Sequence, residues 1–328
     1  PHHRAGVHDH RKDRHLMTVL VTGGCGYIGS KLTEALLTRT DHGVIVVDTG
    51  WFGNYLQPHP RLSLRLGDVR ALDDLDLAGV DTVFHLAGIA NDPSVELNPQ
   101  MSWEVNVLAT MRLADRAARS DVRQFVFPSS GAVYGVRDEP RVTEDLDLMP
   151  ISDYNKTKMV AERVVMSYGD RMLTTIVRPA TVCGLSPRMR LDLTVNGLTM
   201  QALVNGRMTV FGGSQVRPNI HIDDLVDLYL FALDRRLGGV FNAAFENLTV
   251  LEIASLIAER VPARIEVTAS TDPRSYRLCS DRLGQAGFVP RRSVAIAVDE
   301  LAAAYHAGRL SDEPNWHTVS WMRSHNLR

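Results

Sequence analysis

Tyr154 and Lys158 stand four residues apart, a spacing that sets both side chains on one face of a helix. A phenol beside an ammonium can serve as an acid/base whose proton affinity a cation lowers. Well upstream, Gly23, Gly26 and Gly29 form a G-x-x-G-x-x-G turn after the apolar run Thr18–Val21. Glycines let a backbone turn tightly and approach a pyrophosphate, and the helix that follows offers N–H donors and a positive dipole end. Asp48 closes the next apolar run. A carboxylate there accepts hydrogen bonds from an adenosine ribose and repels a 2′-phosphate, which favours NAD over NADP. Lys31 is the nearest competing cation and reads as a solvated helix lysine. Together these residues point to a nicotinamide-dependent enzyme with a tyrosine acid/base.

Such chemistry needs a scaffold that brings Gly26 beside Tyr154. Thr18–Val21, Gly43–Val47, Leu62–Leu66, Thr82–Leu86, Gln124–Phe127 and Leu173–Val177 read as strands. Tyr27–Leu37, Trp103–Arg119 and Tyr154–Tyr168 read as helices between them. Apolar runs without alternation, separated by helices, predict a parallel sheet covered on both faces. After Arg178 and Pro179 the pattern turns irregular, with helices near 194–204, 223–233, 249–259 and 295–307 and strands near 208–211 and 265–267. The expected fold is α/β: a Rossmann-type doubly wound parallel sheet with a smaller α/β C-terminal substrate lobe. Residues 17–178 would form the cofactor-binding domain. Residues 179–328 would form mainly the substrate lobe, discontinuous, with some segments returning to the first domain.

With 36 Lys and Arg against 38 Asp and Glu, charge balance gives no reason to expect nucleic acid or an anionic membrane as partner. No apolar run approaches the roughly 20 residues of a membrane span. Three scattered cysteines, Cys25, Cys183 and Cys279, form neither a metal-ligand pattern nor a disulfide framework and fit a reducing cytoplasm. The histidine-rich residues 1–16 read as a leader or tag and lie outside the fold argument. No metal is expected.

The ordered set of motifs resembles the extended short-chain dehydrogenase/reductases of the NAD-dependent epimerase/dehydratase family, from about Thr18 to Phe288. It comprises Thr22 to Gly29, Asp48, Gly67 with Asp68, His85 to Gly88, Phe127 to Gly135, Tyr154 with Lys158, Arg178 to Gly184, and Arg217 to Asp224. The resemblance implies NAD held by Gly23, Gly26, Tyr27, Ile28, Gly29, Asp48, Asp68, Val69, Leu86, Ala87, Gly88, Tyr154 and Lys158. It implies catalysis by Ser130, Tyr154 and Lys158 on a nucleotide-diphosphate sugar. Ser130, Tyr154, Thr181, Asn196, Arg217 and Arg274 are the expected substrate contacts. It also implies a homodimer built through Trp103–Arg119 and Tyr154–Tyr168.

Departures from the family pattern narrow the chemistry. Gly131 and Ala132 stand where the 4,6-dehydratases carry an Asp-Glu pair, where some epimerases carry a cysteine and where decarboxylases keep a glutamate. Neither residue transfers protons. What remains is oxidation of one hydroxyl or reduction of one ketone. The expected activity is an NAD-dependent nucleotide-sugar 4-epimerase with Tyr154 as acid/base; the alternative is a 4-ketoreductase that uses NAD(P)H. Thr181 and Cys183 depart from residues common in the glucose/galactose enzymes, and Pro187–Arg190 is expected to shape specificity beside the sugar.

Overall fold

A computed structural model describes residues 16–270 and 275–327. Strand β1 (Thr18–Thr22) leads through the glycine turn into α1 (Tyr27–Arg39), followed by β2 (Gly43–Asp48), β3 (Leu62–Leu66) and β4 (Val80–His85). Two short helices, α2 (Asp92–Val95) and α3 (Pro99–Trp103), run into a π-helical turn at Glu104–Ala109 and then α4 (Thr110–Arg119). Strand β5 (Gln124–Pro128), helix α5 (Asp153–Met166) and strand β6 (Leu173–Pro179) complete the first half.

Alternate residues of β1 show why its sequence is apolar throughout. Val19 and Val21 enter one buried cluster with Leu32 and Leu36 of α1. Leu20 enters a second cluster with Leu113 of α4 and Val165 of α5. The strand is covered on both faces, so neither face can be polar. Burying a side chain such as Leu36 contributes about 1.5–3 kcal/mol relative to exposure.

The remaining chain builds β7 (Thr181–Cys183), α6 (Thr194–Asn205), β8 (Arg207–Phe211), β9 (Val216–His221), α7 (Ile222–Arg235), β10 (Gly239–Ala243), β11 (Glu246–Thr249), α8 (Val250–Ala258) and β12 (Arg264–Thr268). Helices α9 (Asp281–Gln285), α10 (Val294–His306) and α11 (Thr318–Ser324) follow. Strand β10 returns to the first half and pairs with β6, giving a seven-stranded parallel sheet of order β10-β6-β5-β4-β1-β2-β3. Two small sheets, β11-β9-β7 and β12-β8, lie outside it. A third cluster, including Val195, Met208, Ile253 and Val298, forms the core of this outer region.

The chain runs from β1 outward to β2 and β3, then crosses to β4 on the other side. That reversal leaves a crevice at the carboxyl ends of β1 and β4, where open α/β sheets bind ligands. The α/β architecture matches the sequence expectation, while β7, β9, β10 and β11 are strands that expectation does not include. The helix expected over 103–119 contains the π turn, which 3.6-residue periodicity does not reveal.

Candidate active site

A cleft of about 860 Å³ opens above the crevice. Its floor begins at the glycine turn. Gly23 has φ +74°, and a Cβ there would lie 2.6 Å from the Ala87 nitrogen. A Cβ on Gly29 would collide with the carbonyl oxygen of Gly23. Gly26, the N-cap of α1, offers no side-chain cap, and the first turn carries no acidic residue. Gly26, Tyr27 and Ile28 line the cleft, so the start of α1 borders it with the dipole's positive end uncompensated by any side chain of that turn. Gly29→Ala should force the turn apart, lowering NAD affinity at least tenfold and stability by about 1–3 kcal/mol. Titration calorimetry and thermal melting would check this.

Asp48 lines the cleft beside this turn. Its Oδ2 accepts the Cys25 N–H at 2.9 Å and its Oδ1 the Gly50 N–H at 2.8 Å. Burial pushes its carboxyl up, against the pull of those two bonds. Asp68 also lines the cleft and is held by Arg70, whose Nη2 lies 2.8 Å from Oδ2. Val69, Leu86, Ala87 and Gly88 continue the wall. Lys31 points away from it and pairs with Asp223 at 2.7 Å.

The reactive end combines β5, α5 and the π turn. Tyr154 and Lys158 share one face of α5 and both line the cleft. Ser152 caps the helix by accepting the Asn155 N–H at 3.2 Å. Ser130, just past β5, lies close enough to the Tyr154 phenol to lower its proton affinity, and its Oγ accepts the Ala132 N–H at 3.1 Å. Lys158 Nζ donates to Pro128 O at 3.0 Å and lies 5.0 Å from the centre of the Phe127 ring. Burial pushes Tyr154 up to about 12, opposed by the nearby Arg190 charge and by Ser130. Burial lowers Lys158 to about 8, which still leaves it charged at neutral pH. Burial thus disfavours the phenolate, and further positive charge nearby would favour it.

Asn106, within the π turn, ties the parts together. Its Oδ1 accepts the Ile89 N–H at 2.8 Å, while Nδ2 donates to Ile89 O at 3.0 Å and to Thr157 Oγ1 at 3.1 Å. One amide thus fixes the loop after β4 against the helix that carries Tyr154. A π turn at a functional site commonly re-aims a side chain in this way. Asn106→Ala should lower kcat about tenfold by loosening that registration, with steady-state kinetics as the check.

Thr181 and Arg217 line the outer part of the cleft. Arg274 lies outside the described residues. Asn196 is fully buried behind the wall. Its Oδ1 accepts the Gly184 N–H at 3.0 Å, and its Nδ2 donates to Tyr27 Oη at 3.1 Å and Arg190 O at 3.0 Å. The amide expected to meet a diphosphate is committed to the wall, where it positions Tyr27 and the Arg190 backbone. Within the Pro187–Arg190 segment, Arg188 and Arg190 line the cleft, as does the following Asp192. Arg190 pairs with Asp192 at 2.7 Å, and Asp192 accepts from Asn91 Nδ2 at 2.9 Å.

Sequence reasoning missed the aromatic loop at Trp51 and Phe52 and the wall formed by Thr318, Val319 and Met322 of α11. His85 is buried between Thr22 and Thr110 hydroxyls at 2.7 and 2.9 Å, so its role is packing. His221, Asp223 and Glu300 place donor atoms within 4.8 Å of one another. His221 Nδ1 accepts the Asp223 N–H at 3.1 Å, and Asp223 already pairs with Lys31. The cluster is an ion-pair network at the start of α7. No described helix is long and apolar enough to cross a membrane.

The family described as NAD dependent epimerase/dehydratase matches residues 19–244. A UDP-glucose 4-epimerase of Lactobacillus helveticus is 29% identical over 274 residues, which is 74% of this chain and 82% of that protein. UDP-glucuronic acid decarboxylase 1 of Arabidopsis thaliana is 31% identical over 284 residues, 80% of this chain and 64% of that protein. The structure of MoeE5 in complex with UDP-glucose and NAD superposes with a TM-score of 0.78 at 28% identity, covering 89% of this chain and 99% of that one. The cleft suits the same cofactor: Gly23 and Gly29 leave space only for backbone, the first turn of α1 carries no acidic residue, and Asp48 lines the same cleft.

Proposed function

The chain belongs to the NAD dependent epimerase/dehydratase family, whose match spans residues 19–244, and on that premise we propose that it is a uridine-diphosphate-sugar 4-epimerase. The observation that carries this reading is the composition of the reactive end. Ser130, Tyr154 and Lys158 converge on the cleft, while the positions after Ser130 are Gly131 and Ala132. A Cβ on Gly131 would lie 2.5 Å from Leu278 Cδ1 and 3.2 Å from Pro179 O, so a larger side chain there would require Leu278 to move. Elimination or decarboxylation lacks its second acid/base, whereas moving one proton requires only Tyr154.

Gly23, Gly26, Gly29 and Asp48 would hold the dinucleotide, with Lys158 and Gly88 toward its nicotinamide end. When bound, NAD supplies the hydride acceptor and donor at the sugar C4. Tyr154 removes the proton of the C4 hydroxyl as that carbon is oxidised to a ketone, and returns it on reduction. Depressing a free phenol from about 10 to near neutrality corresponds to roughly 3–4 kcal/mol of preferential phenolate stabilisation. Lys158 supplies part of it through its ammonium, and Ser130 supplies a hydrogen bond to the phenol or to the sugar oxygen. Epimerisation also requires the 4-keto sugar to turn over before reduction. Thr181 and the Arg190–Asp192 pair line the cleft in which that movement would take place.

The phenolate form of Tyr154 is the competent base, so the rate should climb with pH through its apparent pKa in the loaded enzyme. Lys158→Met removes a cation and should move that limb to higher pH; a pH–rate profile of kcat checks the direction. The reading itself is tested by incubating purified protein, without added cofactor, with UDP-glucose and UDP-glucuronic acid and resolving C4 epimers. Interconversion with retained NAD supports it. Loss of carbon dioxide, or turnover only of a 4-keto sugar with added reduced cofactor, replaces it with decarboxylation or ketoreduction respectively.

A further inference from the structure

Arg188 is a buried cation for which the protein supplies too few partners. It is 2% exposed. Its Nη2 donates to Thr318 Oγ1 at 3.1 Å, and its guanidinium lies 4.1 Å from the centre of the Phe52 ring. Its Nε is buried and has no hydrogen-bond partner. Among the described residues no carboxylate forms an ion pair with it, although it feels the charges of Asp48 and Asp192. Burial pushes its guanidinium below the ordinary arginine value. An arginine stays charged even so, and a buried charge without a counter-ion is destabilising. A bound anion removes that penalty.

The position of the side chain identifies the anion. Two residues earlier, Ser186 Oγ donates to Tyr27 O at 2.7 Å and lies 3.2 Å from Ser30 Oγ. The segment carrying Arg188 is thereby fastened to the first turn of α1, which lines the same cleft and carries no acidic residue. On its other side are Asp48 and the Phe52 loop. Arg188 thus lines the same cleft as the first turn of α1 and as Asp48, whose charge it feels. We infer that Arg188 binds the diphosphate of NAD, as the side-chain half of a cradle whose backbone half is the N-terminus of α1. A guanidinium can meet two phosphate oxygens at once, which gives both energy and direction. Thr318 holds the fork from behind, so α11 takes part in cofactor binding without touching the phosphates.

The test uses cofactor-stripped full-length protein and titration calorimetry with NAD, ADP-ribose and adenosine. Arg188→Met keeps the apolar stem over Phe52 and removes the charge. Affinity for NAD and for ADP-ribose should fall roughly 10- to 100-fold, the range of a lost charge-assisted contact, while adenosine affinity is unchanged. The melting temperature of the cofactor-free protein should hold or rise, because an unpaired buried charge has gone. An equal loss for adenosine, or a lower cofactor-free melting temperature with NAD affinity intact, makes Arg188 a wall residue and overturns the proposal. Should Arg188→Met fail to fold, Arg188→Lys carries the test. It keeps a positive charge and loses the two-pronged donor, so NAD affinity falls while adenosine affinity holds; unchanged NAD affinity overturns the proposal.

Discussion

Tyr154→Phe lowers kcat by about 10³-fold or more while NAD remains bound. The magnitude follows from removing a positioned acid/base, whose usual contribution is about 10²–10⁴-fold. The phenyl ring preserves packing against the second core cluster, so the melting temperature stays near that of the parent. The rising limb of the pH–rate profile disappears with the phenol. Ser130→Ala gives a smaller loss of kcat, roughly 10-fold, because one hydrogen bond to the phenol or substrate is removed and the base remains. Wild-type turnover by the phenylalanine variant, measured with the same UDP sugar, would sink the assignment of Tyr154 as the proton carrier.

The largest effect on stability is expected at Glu162. Arg178, on β6, meets Glu162 of α5 at 3.1 Å through Nε and at 2.5 Å through Nη2. The side chains are 4% and 0% exposed respectively. Arg178 Nη1 also bonds Tyr134 Oη at 2.5 Å, and that hydroxyl donates to Asn242 of β10 at 2.9 Å. One buried ion pair therefore fastens the helix carrying Tyr154 to two strands and to the short turn after Ser130. Glu162→Leu leaves the guanidinium buried without its anion and should destabilise the protein by about 3–5 kcal/mol. For a domain of this size that corresponds to a fall in melting temperature on the order of 10 °C. Replacing both partners with apolar residues should recover much of the loss, since the pair's desolvation penalty offsets much of its attraction. Thermal melts of the single and double variants check both signs.

The legible and hidden parts of this protein differ for physical reasons. The strands of the main sheet could be read because a strand buried on both faces has no tolerance for polarity, as Val19, Leu20 and Val21 show. The helical placement of Tyr154 and Lys158 could be read because four residues nearly complete one turn. The π turn was hidden, since Val105, Leu113 and Ala117 satisfy ordinary helical periodicity within a residue or so. The role of Asn196 was obscured differently. A polar residue near a cleft has the same letter whether it faces the ligand or ties the wall, and only its partners Gly184, Tyr27 and Arg190 show which. Helix α11 carries Val319 and Met322 toward the cleft, but nothing local says which distant surface receives them.

That distance along the chain has a consequence in time. Asn315 Nδ2 donates to Phe52 O at 3.4 Å and to Tyr55 Oη at 2.7 Å, across sequence separations of 263 and 260 residues. Trp321 of α11 rests on Phe52 with ring centres 4.7 Å apart. A ribosome adding about 5–20 residues per second makes the glycine turn roughly 15 to 60 seconds before α11, the helix that rests on Phe52. During that interval the nascent chain presents an open cradle, with Phe52 lacking its later neighbours. The pocket with Phe52 and Thr318 both in place around Arg188 therefore exists only after synthesis has passed α11.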